Sequence, residues 1–332
     1  MTAATILIPT FDHGPAILAQ AIASAQAQSV TDTEIFVVGD GAPPESRAAV
    51  EALAAADRRL RYFDNPKGEA RGERHRHRAL QAATGEIVCY LADDDLWFPD
   101  HVEIMRGLLA EADFANGLPG QIDGDGRIQG GFVDLALPYF KRIILERANR
   151  IPTSFGAHRL DFYRRLPQGW NPAPGTSPSD WHMWRQILAM PNCRTRSAFI
   201  PTGICLPSPQ RRHMTVEQRA AELARWRATI ADPLQLARLR IDILAQAVAR
   251  AGREAEDGRI LQERSQPRSP GEIEAARADL VQRLAQAEAR IALLQATLAA
   301  APPSLFSRAK IARARVPYLR AAWRRLRGRP AS

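Results

Sequence analysis

Three consecutive carboxylates, Asp93, Asp94 and Asp95, follow the apolar run Ile87-Val88-Cys89-Tyr90-Leu91 with only Ala92 between. Neighbouring carboxylates repel one another, so acid set against core residues calls for a neutralising partner, and a divalent cation is one that carboxylates bind readily. The competing reading is a solvated acidic turn. A second charged stretch has the opposite sign. Arg71, Arg74, Arg76 and Arg78, with His75 and His77, are dense enough in cations to hold an anionic ligand. On a helix Arg74 and Arg78 share a face while Arg71 lies a turn earlier, so a solvated basic face accounts for at least half of them. Two further acids stand at punctuation points. Asp40 lies in Gly39-Asp40-Gly41, a sequence that by itself makes a turn. Asp180 opens the stretch Asp180-Trp181-His182-Met183-Trp184, where a carboxylate at a helix N-terminus is the plain structural reading.

The elements that must position these groups alternate in type. Ala4 to Pro9 is an apolar strand ending in Thr10-Phe11-Asp12-His13-Gly14-Pro15, and Pro15 suits the first turn of a helix with Ile17, Leu18, Ala21, Ile22 and Ala25 on one stripe. A strand at Thr33 to Val38, an Ala-rich helix around Glu45 to Ala56, a short strand at Leu60 to Phe63 and a basic helix at about Glu73 to Ala83 lead to the Asp-rich strand. Such alternation predicts right-handed βαβ units and an α/β fold with a mostly parallel sheet flanked by helices. Ligands of these sheets sit beyond the carboxyl ends of the strands. Thr10 to Asp12, Asp40 and the Asp triplet all fall there.

Composition narrows the function classes. With 45% hydrophobic and 24% charged residues the 332-residue chain is ordinary globular material, long enough for one large domain with extensions. Its net charge of +9 comes from nine basic residues after Ala301 with no acid among them, since the preceding 36 basic residues equal the 36 acidic ones. The body therefore has no nucleic-acid-binding charge. Cys89, Cys193 and Cys205 are odd in number and far apart, which predicts core thiols in a reducing compartment rather than a disulfide or zinc framework. The first residues read as a strand, not a signal peptide. No apolar run approaches the roughly 18 to 20 residues of a membrane span.

Four motifs in register carry a family likeness: Ile6-Leu7-Ile8-Pro9-Thr10-Phe11, Val37-Val38-Gly39-Asp40-Gly41, Arg76-His77 ahead of Ala83-Thr84-Gly85-Glu86, and Tyr90 to His101. In order and spacing they resemble the nucleotide-binding half of inverting glycosyltransferases of family 2, with the GT-A fold. The resemblance implies transfer of a sugar from a nucleotide-diphosphate donor, UDP- or GDP-linked, to an acceptor hydroxyl on a glycan or lipid-linked molecule. It implies that Pro9, Thr10, Phe11, Asp12 and Asp40 cradle the nucleoside, that Arg76 faces the diphosphate or sugar, and that Asp94 touches the sugar or serves as a spare ligand. Asp93 and Asp95 correspond to the Asp-x-Asp site for Mn²⁺ or Mg²⁺, Asp95 foremost. Asp180 corresponds to the catalytic base, and His213 of Arg211-Arg212-His213 to a histidine that completes the metal shell. The sequence departs from the family pattern at Gly39, Ala92 and Ser179, each standing where relatives often carry an acid or, at Gly39, the first Asp of Asp-Asp-Gly-Ser.

Beyond the sheet, Gln121 to Gln129 suggests two short strands around a Gly-containing turn, and Arg127 excludes a calcium loop built on Asp123 and Asp125. Trp181 and Trp184 suit either a sugar platform or the core. The organisation expected is a catalytic domain over 1–215, a helical extension over 216–265 broken at Asp232-Pro233, a linker at 266–271, a short coiled coil over 272–300 and a basic tail over 302–332. Leu280, Leu284, Ala287, Ile291, Leu294 and Leu298 form an a/d seam that suits a dimer or packing on the catalytic domain. In the tail, Tyr318, Leu319, Ala322, Trp323 and Leu326 make a stripe flanked by arginines, suited to the cytoplasmic face of an anionic membrane; a solvated or partner-binding tail is the other reading. Two rivals to the glycosyltransferase remain. A nucleotidyltransferase would want a Gly-rich phosphate turn where Pro9-Thr10-Phe11-Asp12 stands, and a scaffold with an inactive glycosyltransferase-like body would act through the coiled coil and tail.

Overall fold

The computed structural model describes residues 2–256 together with scattered helical positions between Glu274 and Ala292. The linker at 266–271, the leucine seam and the basic tail lie outside the described residues. The chain divides into a unit of residues 1–127 with 133–231 and a second unit of 128–132 with the residues from 232 onward.

The first unit is built on strands β1 (Ala4–Thr10), β2 (Thr33–Gly39), β3 (Leu60–Phe63), β4 (Ile87–Tyr90), β5 (Leu96–Trp97) and β6 (Phe114–Ile122); β7 (Ile128–Gly130) belongs to the second unit, and β8 (Gly156–Arg159) and β9 (Thr195–Cys205) return to the first. Their spatial order is β3-β2-β1-β4-β8-β6-β9-β5. The β3-β2-β1-β4 half is parallel as expected, each strand reached through a helix: α1 (Pro15–Gln26), α2 (Pro44–Ala56) and α3 (Glu73–Gln81). The other half is mixed. β8 runs antiparallel to both β4 and β6, β5 runs antiparallel to β9, and only β6 and β9 are parallel. The reason lies in the 3₁₀ turn Thr153–Phe155 just before β8. Ser154 is held at the end of β4 by the Ala92 amide (2.9 Å) and the Trp97 indole (2.7 Å), so the strand that follows starts where β4 stops and must run back along it.

The period of two expected of strands divides the core. Leu7, Phe36, Val38, Val88 and Tyr90 face one side of the sheet, with Trp170, Trp184 and Ile187 packed against them. Ile6, Ile8, Ile35, Val37 and Cys89 face the other, beneath Leu18, Ile22, Val102 and Met105. Trp184, from α7 (Ser179–Ala189), is a core residue rather than a sugar platform: it is fully buried, its indole donates to the Ile151 carbonyl, and its ring lies 5.1 Å from that of Phe114. Cys89 and Cys205 are buried free thiols and Cys193 is half-buried.

Gly85 opens β4 where no side chain fits. A Cβ there would lie 2.3 Å from the Thr5 nitrogen and 2.5 Å from the Ala4 carbonyl carbon, both backbone atoms that cannot give way. Gly85→Ala is expected to destabilise the chain by about 1–3 kcal/mol, seen as a lower urea midpoint with an unchanged slope.

Helices α4 (His101–Leu109), α5 (Pro138–Glu146), α6 (Leu160–Tyr163) and α8 (Val216–Ala231) complete the first unit. In the second, α9 (Pro233–Glu256) begins after the predicted break, with the Asp232 carboxylate accepting from the Leu234 and Gln235 amides at 2.9 and 3.1 Å. Gly130 of β7 lets α9 approach: a Cβ there would meet the Ile243 carbonyl at 2.4 Å. Among the described residues no helix is long and apolar enough to cross a membrane.

Candidate active site at the strand ends

The Asp triplet is not a solvated turn. Asp93, Asp94 and Asp95 are only 6%, 9% and 6% exposed. β4 ends at Tyr90 and is followed by a tight turn closed by the Asp95 amide on the Ala92 carbonyl (3.2 Å), which sends the three side chains in different directions. Asp93 accepts a hydrogen bond from His13 Nδ1 at 2.7 Å. Asp94 accepts from the Ser208 hydroxyl and from Arg219 Nη2 (3.0 Å), and His13 Nε2 stands 4.0 Å away. Arg219 Nη2 also donates to Ser208 Oγ at 2.7 Å.

Charge explains this packing. Burial alone would lower the His13 pKa, but the hydrogen bond and charge of Asp93, with the charge of Asp94, more than reverse that and raise it to about 9. Burial and the charge of Asp93 raise Asp94 above its usual range. One ligand atom each from His13, Asp93 and Asp94 lies within 4.8 Å of the others. Two carboxylates and an imidazole at this spacing are a donor set that fits a divalent cation of the Mn²⁺ or Mg²⁺ type.

The structure does not bring Asp95 or His213 into this group. The Asp95 carboxylate turns inward, accepting from the Ser154 hydroxyl (2.5 Å) and the Leu206 amide (3.0 Å), and burial followed by the charge of Asp94 raises its pKa to about 8. His213 is exposed. Its neighbour Arg211 is buried with its guanidinium on both Glu222 oxygens (2.7 and 2.8 Å) and on the carbonyls of Ile122 and Asp123. Arg211 thereby fastens α8, which carries Arg219. Arg211→Ala leaves Glu222 charged and unpaired and is expected to cost about 3–5 kcal/mol, measured as a fall in thermal midpoint.

At the ends of β1 and β2 the residues expected around a nucleoside do converge. The Asp40 amide donates to the Thr10 carbonyl (2.9 Å), Pro9 pairs with Val38, and Phe11 and Asp12 are exposed beyond them. Asp40 is more than a turn residue: its carboxylate is buried and accepts from Lys67 Nζ and the Gly68 amide, both at 2.6 Å. Lys67 also lies 5.0 Å above the Phe11 ring. Gly72 makes this approach possible, since it has φ +72° and a Cβ there would sit 2.9 Å from Asp40 Cβ and Cγ.

A third group gathers at α3 and α7. Arg76 is buried with its guanidinium 4.5 Å above the Trp170 ring and donates to the Arg71 carbonyl. Burial lowers its pKa against the charges of Glu73 and Asp180. Arg71 itself reaches the Ser177 carbonyl at 2.7 Å, whereas Arg74 forms an exposed pair with Glu69. Asp180, in the first turn of α7, is partly exposed; it accepts from Thr153 Oγ1 (3.2 Å) and the Trp181 amide (2.8 Å). Burial raises its pKa, with the hydrogen bonds and Arg76 acting the other way. Ser179 donates to the buried Glu73 carboxylate at 2.5 Å, so an acid from α3 stands beside the position where the family dipeptide would carry one. Glu73, the lone acid in the stretch 71–78, was a visible signal in the sequence, as was His13 next to Thr10 to Asp12. Ser208 and Arg219 gave none.

Residues 5–165 match the profile of Glycosyl transferase family 2. This segment is a family 2 glycosyltransferase domain. It contains Asp40, Arg76 and the Asp triplet, and it ends before Asp180, Ser208 and Arg219. The succinoglycan biosynthesis protein ExoW of Rhizobium meliloti is 32% identical over 103 residues, covering 31% of this chain and 32% of that protein. The GalNAc(5)-diNAcBac-PP-undecaprenol beta-1,3-glucosyltransferase of Campylobacter jejuni is 33% identical over 106 residues, 32% of each. The matched stretch thus spans about a third of the length of these curated relatives. Among solved structures, residues 1–349 of S. aureus TarS in complex with UDP-GlcNAc superimpose with a TM-score of 0.50 at 18% identity over 71% of both chains, a likeness of fold. The family 2 domain accordingly has a GT-A-like arrangement, with the mixed sheet described above.

Proposed function

We propose that this chain transfers a sugar from a nucleotide-diphosphate donor to an acceptor hydroxyl with inversion at the anomeric carbon. One observation carries the reading: the consecutive residues Thr153 and Ser154 donate hydrogen bonds to Asp180 and Asp95, so one turn fixes the candidate base and the last acid of the triplet, whose neighbours Asp93 and Asp94 form the cation group. A donor would lie along the strand ends, its nucleoside by Pro9, Thr10, Phe11, Asp12 and Asp40 and its sugar toward Asp180. Arg76 supplies positive charge beside Asp180. Asp180 takes the proton of the acceptor hydroxyl as that oxygen attacks the anomeric carbon from the face opposite the diphosphate, and a single displacement inverts the stereochemistry. Its raised pKa suits a base better than an ordinary surface carboxylate does. Asp93 and Asp94 would hold Mn²⁺ or Mg²⁺, which supplies charge neutralisation to the departing diphosphate.

Two of the three departures from the family pattern have a local counterpart in the structure. A Cβ at Gly39 would lie 2.6 Å from the Tyr62 hydroxyl, so an acid there requires that ring to move. Ser179 is served by Glu73, whereas nothing in the structure explains Ala92. The relatives named in succinoglycan and undecaprenol-linked glycan synthesis support an acceptor that is a glycan or a lipid-linked saccharide. The basic tail over 302–332 would bring the chain to such an acceptor at the cytoplasmic face of a membrane.

The test is release of nucleoside diphosphate from UDP- and GDP-linked sugars with and without Mn²⁺ or Mg²⁺, preceded by thermal-shift screening, since a ligand of the native state raises apparent stability. Cation-dependent release, with an inverted anomer in the product, is the expected result. No stabilisation and no release with any donor would end the proposal.

A further inference from the structure

The loop between β1 and α1 contributes a residue to the acid cluster that no family motif assigns. His13 precedes Gly14, whose φ of +87° turns the chain into Pro15 and α1. A Cβ on Gly14 would lie 3.1 Å from Val216 Cγ1 at the start of α8, so the loop is packed rather than free. Its imidazole stands between the two carboxylates: Nδ1 is 2.7 Å from Asp93 Oδ1, and Nε2 is 4.0 Å from Asp94 Oδ2 and 3.2 Å from Ser208 Oγ. Both ring nitrogens therefore face the cluster.

Resting on the donor-transfer reading above, we infer that His13 is the nitrogen ligand of the chain's divalent cation, joining Asp93 and Asp94, and that it sets which cation is preferred. The argument is one of donor chemistry. Two carboxylates alone form an all-oxygen set that serves Mg²⁺ and Mn²⁺ alike, whereas an imidazole in the shell favours the transition ion, because Mg²⁺ prefers oxygen ligands and an octahedron that keeps several waters. The ligand atoms are already within 4.8 Å of one another, so little rearrangement is needed for one ion to touch all three. Arg219 keeps its own place on Asp94, on the side of Ser208.

The test uses the full chain loaded with Mn²⁺ alone. Pulsed electron paramagnetic resonance should show modulation from a directly bonded imidazole nitrogen, altered by isotope labelling of histidine. His13→Gln should abolish it and weaken Mn²⁺ binding by about 10–100-fold, with Mg²⁺ affinity falling far less, whereas His213→Gln should leave both as they are. Circular dichroism and thermal melting establish that the variants are folded. Wild-type chain that binds Mn²⁺ through Asp93 and Asp94 without nitrogen modulation, or a His13→Gln chain that keeps it, overturns this inference while leaving sugar transfer intact. Failure of the wild type to bind Mn²⁺ at all overturns the inference and removes the cation from the proposed reaction.

Discussion

Asp180→Asn is expected to lower kcat for sugar transfer by about 10²–10⁴-fold, the usual contribution of a positioned general base. The substitution is nearly isosteric, and the amide oxygen can still accept from Thr153 Oγ1 or the Trp181 amide, so the start of α7 should keep its geometry. What disappears is the capacity to receive a proton. Affinity for UDP or GDP, measured by isothermal titration, should change by less than about threefold, because the proposed nucleoside contacts lie at the ends of β1 and β2; a loss of binding in step with the loss of rate would mark Asp180 as a structural residue instead. The pH profile gives a second check. Burial raises the Asp180 pKa above its usual 3.8, and a base works only when deprotonated. Activity should therefore fall as pH is lowered through a value above the ordinary carboxylate range. An acid limb at or below that range would contradict the role.

Asp94→Asn is expected to remove cation-assisted chemistry, with a rate loss on the order of 10²–10³-fold and a matching loss of Mn²⁺ affinity. Stability should not fall in parallel, because the change also relieves repulsion between Asp93 and Asp94. Asp95→Ala should behave in the opposite way. It strands the Ser154 hydroxyl and the Leu206 amide, which costs about 1–3 kcal/mol, and should leave Mn²⁺ affinity within about threefold. Thermal melts and Mn²⁺ titrations of the two variants side by side decide the matter. Were Asp95→Ala to lose the cation and Asp94→Asn to keep it, the Asp-x-Asp pairing of Asp93 with Asp95 would be right and the cluster described here would be wrong.

Much of this was legible in the linear chain, and the limit is physical. β1 to β4 and their helices announce themselves because apolar residues repeat at strand or helix period, and the acids at strand ends stand out because acid so close to core is costly. The reversal of β8 has no such signature: it follows from Ser154 being tied to Ala92 and Trp97, contacts that local pattern cannot show. The same holds for the partners in the cluster. His13 lies 80 residues from Asp93 and Arg219 lies 125 from Asp94, so their meeting depends on the whole sheet. Arg211 was visible as a cation, but nothing local distinguished an arginine that meets a ligand from one buried on Glu222. Ser179 was readable as a missing acid, and only the packing of α3 on α7 shows Glu73 beside it.

β9 lies between β6 and β5 in the sheet, yet its residues, 195–205, come after the end of the family match at 165. Ser208 and Arg219, which donate to Asp94, come later still. A fragment cut at the recognisable border would bare the hydrogen-bonding edge of β6 and leave Asp94 without Arg219, a combination that invites aggregation. The portion of the chain that carries the hereditary signature is thus shorter than the portion that must collapse together.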